Sequence, residues 1–392
     1  MKKETIIWLT ENYPPQRGGM SNSCDRIIRG LRNRGFYIHI VHFTNRERPY
    51  TVEEQINGAY TAVPFEDSEP HILNRTWLVL RKIKDVGMVV CFGGHLSLIG
   101  APVFARWLDV PLITMVRGND FDVSIFSHRK RKVMEDAYTA SERIVSVSAE
   151  KTWKIRKSFP GAKVVAIPNG LESDEWMPTS GEEEFAVQWR SERNIDGNEK
   201  LCIGMFGQLK AKKGGEFLLR SLEGFEITSR LHFLLIGEVE EETREFLDQG
   251  FSYDLLPFLD RYELMRYYLC CDAVAIPSFY DGMPNVLLES GGLGIPVIAS
   301  DVDGMKDVIV DNRSGILFEA GDMTACRKAL YDFAELTPEG REELGKNLQN
   351  VITENYSLTN EIDNYERVFH EVLGVGPDHR IVQWGGEESS GR

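Results

Sequence analysis

Residues Ser278–Ala299, SFYDGMPNVLLESGGLGIPVIA, place two carboxylates, Asp281 and Glu289, eight positions apart across the start of a helix. The preceding run DAVAIPS (272–278) is apolar and ends in Pro-Ser, which reads as a buried strand. Asp281-Gly282 is turn chemistry, and Pro284 prevents a helix from starting earlier. Asn285 is expected to cap a helix whose first turn is VLLE, residues 286–289. The backbone N–H groups of such a start face the loop and favour an anion. Glu289, one turn along, can accept two hydrogen bonds from a vicinal diol such as a ribose. Phosphate, ribose and a second polyol contact at Asp281 together point to a sugar nucleotide. The plainer alternative is a solvated turn residue followed by an exposed helical glutamate.

The rest of the chain gives this corner a setting. Its 392 residues suffice for two domains. No apolar run approaches the ~20 residues of a membrane span. The start, MKKETIIWLTENYPP, has no small-residue cleavage site and reads as a first strand. Six scattered cysteines lack metal-ligand or disulfide spacing, which suits a reducing, cytoplasmic setting. Residues 1–169 hold 25 Lys and Arg against 17 Asp and Glu, a balance of +8; the remainder carries −23 of the total −15. The basic half suits an anionic partner, and the acidic half argues against nucleic acid.

Both halves alternate apolar strands with amphipathic helices, the pattern of α/β proteins with parallel sheets. In the first half these strands include TIIWLT, YIHIVHF and VGMVVCF, and in the second LCIGMFG, LHFLLIG and IPVIAS. The pattern predicts a first domain over 1–178, a polar connection over 179–198 and a second domain over 199–360. A last helix over 361–382 and a disordered tail over 383–392 follow. Ligands of open parallel sheets bind at the carboxyl ends of strands, where the informative loops fall.

In MFGQLKAKKGGEFLLRSL (205–222), Lys213 precedes Gly214 and Gly215 at a helix start, suited to a diphosphate. Gly18 and Gly19, in the loop after the first strand, can bring amides to the other side of that phosphate. His95 follows another strand, and Arg117 and Asp120 follow the next; a lone histidine such as His95 is more often structural than catalytic, and Arg117 and Asp120 read equally as a mutual pair. His128 to Lys132 form a basic run open to an anionic acceptor or a lipid surface. Asp301 and Asp303 form a D-x-D string without further ligands at suitable spacing, so no essential bound metal is expected. Neither a Walker motif nor a G-x-G-x-x-G opens any helix, which argues against P-loop and nicotinamide enzymes.

Together these residues resemble family 4 of the retaining glycosyltransferases over nearly the whole chain. PSFYDGMPNVLLESGGLGIPVIAS looks like the family's Glu-x7-Glu segment, and PPQRGGMS, AIPNGLESDEW and the G-x-L-x3-K-G pattern at Gly207–Gly214 support the match. The resemblance implies a GT-B fold: two facing Rossmann-like domains, acceptor on the N-terminal one and nucleotide-sugar donor on the C-terminal one. The last helix would cross back to the first domain. By position, Glu289 would bind the ribose, Asp281 the transferred sugar, and Lys213 with Gly19 the phosphates. Gly282, Met283, Pro284, Asn285 and Val286 would line the sugar and diphosphate.

Three residues depart from the family pattern. Asp281 replaces a glutamate, Gln208 stands where an arginine usually meets the diphosphate, and Arg117 takes the histidine position of an H-G-x-D loop. Arg117 and Asp120 would then be catalytic with Asp281, and His95, Arg129 and Lys130 would face the acceptor. The implied activity is retaining transfer of a hexose-type sugar from a UDP or GDP sugar. The acceptor would be anionic or lipid-linked, in surface polysaccharide or glycoconjugate synthesis. The alternative, prompted by Gln208 and Arg117, is a sugar-nucleotide-binding module without turnover. An epimerase or phosphorylase on the same fold is a third reading.

Overall fold

The computed structural model describes residues 4–117 and 120–374, the side chain of Asp120 excepted. The first domain contains β1 (Thr5–Thr10), β2 (Tyr37–Phe43), β3 (Val52–Gln55), β4 (Gly58–Val63), β5 (Val86–Phe92), β6 (Leu112–Val116), β7 (Arg143–Ser146) and β8 (Val164–Ala166). Their order is β3-β4-β2-β1-β5-β6-β7-β8, parallel except for β3, which pairs antiparallel with β4. The second contains β9 (Leu201–Phe206), β10 (Leu231–Ile236), β11 (Ser252–Leu256), β12 (Ala273–Ile276), β13 (Val297–Ser300) and β14 (Ile316–Phe318). These form one parallel sheet ordered β11-β10-β9-β12-β13-β14.

The sequence pattern shows why the sheets are parallel. Central strands such as Thr5–Thr10 and Leu201–Phe206 are buried along their whole length, so they read as continuous apolar runs rather than alternating ones. The strand order reverses between β1 and β5 and again between β9 and β12. Loops leaving β1, β9 and β12 therefore line the crevices where open α/β sheets hold ligands.

Two segments differ from the sequence reading. Residues 179–198, expected as a polar connection, hold a helix, Ser180–Glu192, opened by a Thr179–Glu182 capping box. Trp189 and Ala186 bury against the second sheet's core, and Arg190 and Arg193 bind Asp272 and Asp254. The last helix spans Leu358–Val372, beginning three residues before the expected 361, and both residues 375–382 of its expected range and the tail expected over 383–392 lie outside the described residues. Ser357 caps this helix through the Asn360 N–H at 3.2 Å.

As expected, that helix packs on the first domain. Ile362, Tyr365, Val368 and Phe369 enter the core formed by Trp8, Ile27, Ile28 and Phe92. Each such burial contributes about 1.5–3 kcal/mol. Its polar anchor is Glu361, whose carboxylate accepts from Arg26 Nε at 2.9 Å and from the Gly170 N–H at 3.0 Å. Removing one partner of a buried ion pair costs far more than removing an exposed one. In urea denaturation, Glu361→Ala should lower stability by about 3–5 kcal/mol. Arg34→Ala, which breaks an exposed pair with Asp363 on the same helix, should change it by less than about 1 kcal/mol.

Candidate active site

The corner after β12 is held from three sides. Gly282 O accepts from Gly304 N at 2.8 Å, and a Cβ on Gly304 would lie 2.1 Å from that oxygen, so only glycine fits there. Met283 O accepts from the side chain of Asn169 at 2.8 Å. Phe279 N donates to Lys212 O at 3.0 Å and fastens the corner to the loop after β9. The helix begins at Asn285 with Pro284 as its N-cap residue, so the expected Asn285 cap is not formed. Extended Pro284 supplies the boundary, and Asn285 Oδ1 instead accepts from the Asn169 side-chain amide at 3.3 Å. No side chain caps this helix start.

A second uncapped helix start faces the first. Gly18 (φ 129°, ψ 165°) precedes the helix Gly19–Asn33, which also lacks a side-chain cap. A Cβ on Gly19 would stand 3.8 Å from Asn285 Nδ2, so the two domains approach here. Two helix N-termini across one cleft concentrate positive potential without a charged side chain.

Lys213 and Asp281 meet as an ion pair. Gly214 places the lysine: its backbone is left-handed (φ 69°), and a Cβ would lie 1.9 Å from Pro277 O. Gln208 follows the close approach of the β9 and β10 loops, and its amide donates to Glu238 Oε2 at 3.4 Å. Val286 is half-buried on the first helical turn.

Glu289 lies on the wall of a cleft of about 430 Å³ between the domains, with Asn285, Leu288, Phe258 and Trp176 on one side and Pro14 to Arg17, Asn22 and Arg26 on the other. Its carboxylate accepts from Tyr268 Oη at 2.7 Å. Burial pushes its pKa above the ordinary value, while Tyr268 and the charge of Arg26 oppose that rise. Arg17 closes the cleft mouth over the Phe258 ring, 5.4 Å from its centroid.

The remaining sequence candidates fall into two places. Arg117 is 2% exposed and bound to Tyr365 Oη at 2.7 Å and to Asn169, with Glu361 3.7 Å away. Asp120 opens the helix Asp120–Ser124. His95 begins the helix His95–Leu108, its ring 3.0 Å from Glu69, and Arg129 reaches the same carboxylate at 3.2 Å. Lys130 is exposed on the neighbouring helix His128–Ala140. Asp301 pairs with Lys306 at 3.4 Å, and Asp303 with Lys154 at 3.3 Å. Sequence reasoning did not single out Asn169, Arg26, Tyr268 or Phe258. Only Asn169 carried a local signal, in the AIPNG segment.

Comparison with known proteins bears on the family and the fold. The model for Glycosyltransferase Family 4 matches residues 17–175, and that for Glycosyl transferases group 1 matches residues 188–351. An uncharacterized glycosyltransferase of Methanocaldococcus jannaschii is 25% identical over 341 residues, covering 79% of this chain and 84% of the relative. Sucrose-phosphate synthase from Thermosynechococcus elongatus shares the fold with a TM-score of 0.78 at 16% identity, over 95% of this chain and 100% of that one. Anabaena HepE, solved in complex with UDP-glucose, gives 0.75 at 15% identity, over 94% and 99%. The fold is therefore GT-B. The chain carries a family 4 domain followed by a group 1 domain, and it is a glycosyltransferase.

The raised pKa of Glu289 has a consequence for stability. The folded-state value lies above the unfolded one, near 4.5, so protonation adds stability that is fully present below about pH 4.5 and lost as pH rises through the raised value. Glu289→Gln is neutral throughout and escapes this loss. In thermal unfolding the variant should gain on the wild type as pH rises above about 4.5, the ordinary glutamate value.

Proposed function

We propose that this glycosyltransferase is a retaining enzyme that moves a hexose-type sugar from a nucleoside-diphosphate sugar, UDP or GDP, to an anionic or lipid-linked acceptor. One observation carries the reading: Glu289 and the uncapped helix start at Asn285 line one interdomain cleft, and the second uncapped helix start, at Gly19, approaches Asn285 beside it. Glu289 presents an acceptor to a ribose diol one helical turn from an anion-favouring N-terminus. Lys213 and the helix starts stabilise the charge that develops on the leaving diphosphate. Donor diphosphate would exchange the Lys213–Asp281 contact for Lys213–phosphate and free Asp281 for the sugar hydroxyls. HepE in complex with UDP-glucose supports this donor class.

Retention needs a base on the face from which the leaving group departs, and the diphosphate oxygen can take the acceptor's proton there. Arg117 is unsuited to that task, because a guanidinium does not deprotonate in proteins. The reading includes metal independence. Lys306 and Lys154 already neutralise Asp301 and Asp303. Chelation with EDTA should leave transfer unchanged, and loss of activity restored by a divalent cation would refute this part.

For the acceptor, support comes from the basic first half and the His95–Glu69–Arg129 group. Phe126, 90% exposed beside Arg129 and Lys130, supports peripheral contact with a membrane face on the cytoplasmic side. Among the described residues no helix is long and apolar enough to cross a membrane. A second reading, donor binding without turnover, is favoured by Gln208, which brings no charge to the diphosphate.

Calorimetry with UDP and GDP tests the donor site. Glu289→Ala should weaken binding of the preferred nucleotide by about tenfold, the value of a charge-assisted hydrogen bond. Unchanged affinity would remove the ribose assignment. Slow hydrolysis of the matching sugar nucleotide by the wild type, reduced about a hundredfold in Lys213→Ala, would exclude the binding-only reading.

A further inference from the structure

Arg117 occupies a position implied to be catalytic, yet its guanidinium is turned into the protein. Its partners show what it does instead. Asn169 sits just beyond β8, where the chain leaves the first domain, and all the hydrogen-bonding capacity of its amide is used. The oxygen accepts from Arg117 and from Arg26 Nη2 at 3.2 Å. The nitrogen donates to Met283 O at 2.8 Å and to Asn285 Oδ1 at 3.3 Å. A flipped amide would set its N–H groups against two guanidinium groups, so these partners fix the orientation. Both arginines are fixed in turn by Glu361, and Arg117 also by Tyr365.

We propose that Asn169 is the positioning residue of the donor corner and that Arg117 acts through it. The brace runs from the C-terminal helix, through a buried guanidinium and a saturated amide, to the loop and helix start at Met283–Asn285. It crosses from the first domain to the second, so the corner is held in one conformation only when the domains are juxtaposed. The four groups are almost wholly inaccessible: Asn169 is 6% exposed, Arg117 and Glu361 2%, and Tyr365 0%. None of Arg117, Asn169, Glu361 and Tyr365 lines the cleft, so the brace shapes the corner rather than touching substrate.

The role of the corner in catalysis rests on the donor reading above; the brace itself does not. Asn169→Asp separates the two ends of the contact. An aspartate still accepts from both arginines but cannot donate to Met283 O or Asn285 Oδ1. We expect the variant to stay folded with a lowered melting temperature, because the latch to Arg117 and Arg26 survives while Met283 O loses its buried donor. Hydrogen exchange across residues 283–288 of the ligand-free protein should be faster by about tenfold. With the preferred sugar nucleotide, kcat should fall by about tenfold or more while affinity for the nucleoside diphosphate changes by less than about threefold, since Glu289 and Lys213 remain.

Arg117→Lys, which keeps the charge and loses the fork, is the second variant should the first not fold; it should show the same pattern in smaller measure. Exchange at the wild-type rate in a folded variant overturns the brace, and unchanged kcat overturns its role in catalysis. Failure of the wild type to bind any nucleoside diphosphate overturns the donor reading instead. In that case the exchange measurement still decides the brace.

Discussion

One carboxylate, that of Glu361, sits buried between two guanidinium groups, and much of the molecule is arranged around it. Removing a carboxylate from water is costly, and the cost is offset only when its oxygens are well coordinated. Here Arg26 and the Gly170 N–H bind it directly, and Arg117 lies 3.7 Å away. The contact fastens the last helix, which follows the second domain in sequence, to the core of the first. Because the two arginines also hold Asn169, the same anion orders the corner that faces the cleft. A local cost in desolvation thus serves a relation between domains.

The cleft itself works by subtraction as much as by addition. Two helices begin at its walls without side-chain caps, leaving backbone partial charge for a ligand. The basic first half and acidic second half face each other across it, and on the acidic side Lys213 is held by Asp281. In the donor reading such a site would attract a diphosphate by potential and orient it by a few fixed contacts. In the donor reading Glu289 would meet the sugar of the nucleoside from a buried position, where burial raises its pKa and Tyr268 and the charge of Arg26 oppose that rise.

Much of this was legible in the sequence, for local reasons. Asp281-Gly282, Pro284 and the apolar run before them specify strand, turn and helix within a few residues, and the close approaches at Gly214 and Gly304 follow from glycine. The helix cap was misplaced by one residue because Asn285 found a stronger claim on its side chain in Asn169, a contact between domains. The hairpin β3–β4 was passed over although Asn57-Gly58 marks its turn, because exposed VEEQ has no apolar alternation to reveal an edge strand. Helix Ser180–Glu192 was hidden by its charge, while its capping box and Trp189 were in plain view. The burial of Arg117 was not legible at all. Its partners Asn169 and Tyr365 lie 52 and 248 residues away, and no spacing rule reaches that far.

The most direct test of the account is a crystal structure of the chain with the nucleoside diphosphate that stabilises it. The account predicts ribose hydroxyls within hydrogen-bond distance of the Glu289 carboxylate. It also predicts the diphosphate between Lys213 and the helix starts at Gly19 and Asn285, with the Lys213–Asp281 contact opened. A nucleotide bound elsewhere, or one whose ribose leaves Glu289 on Tyr268 alone, would contradict it.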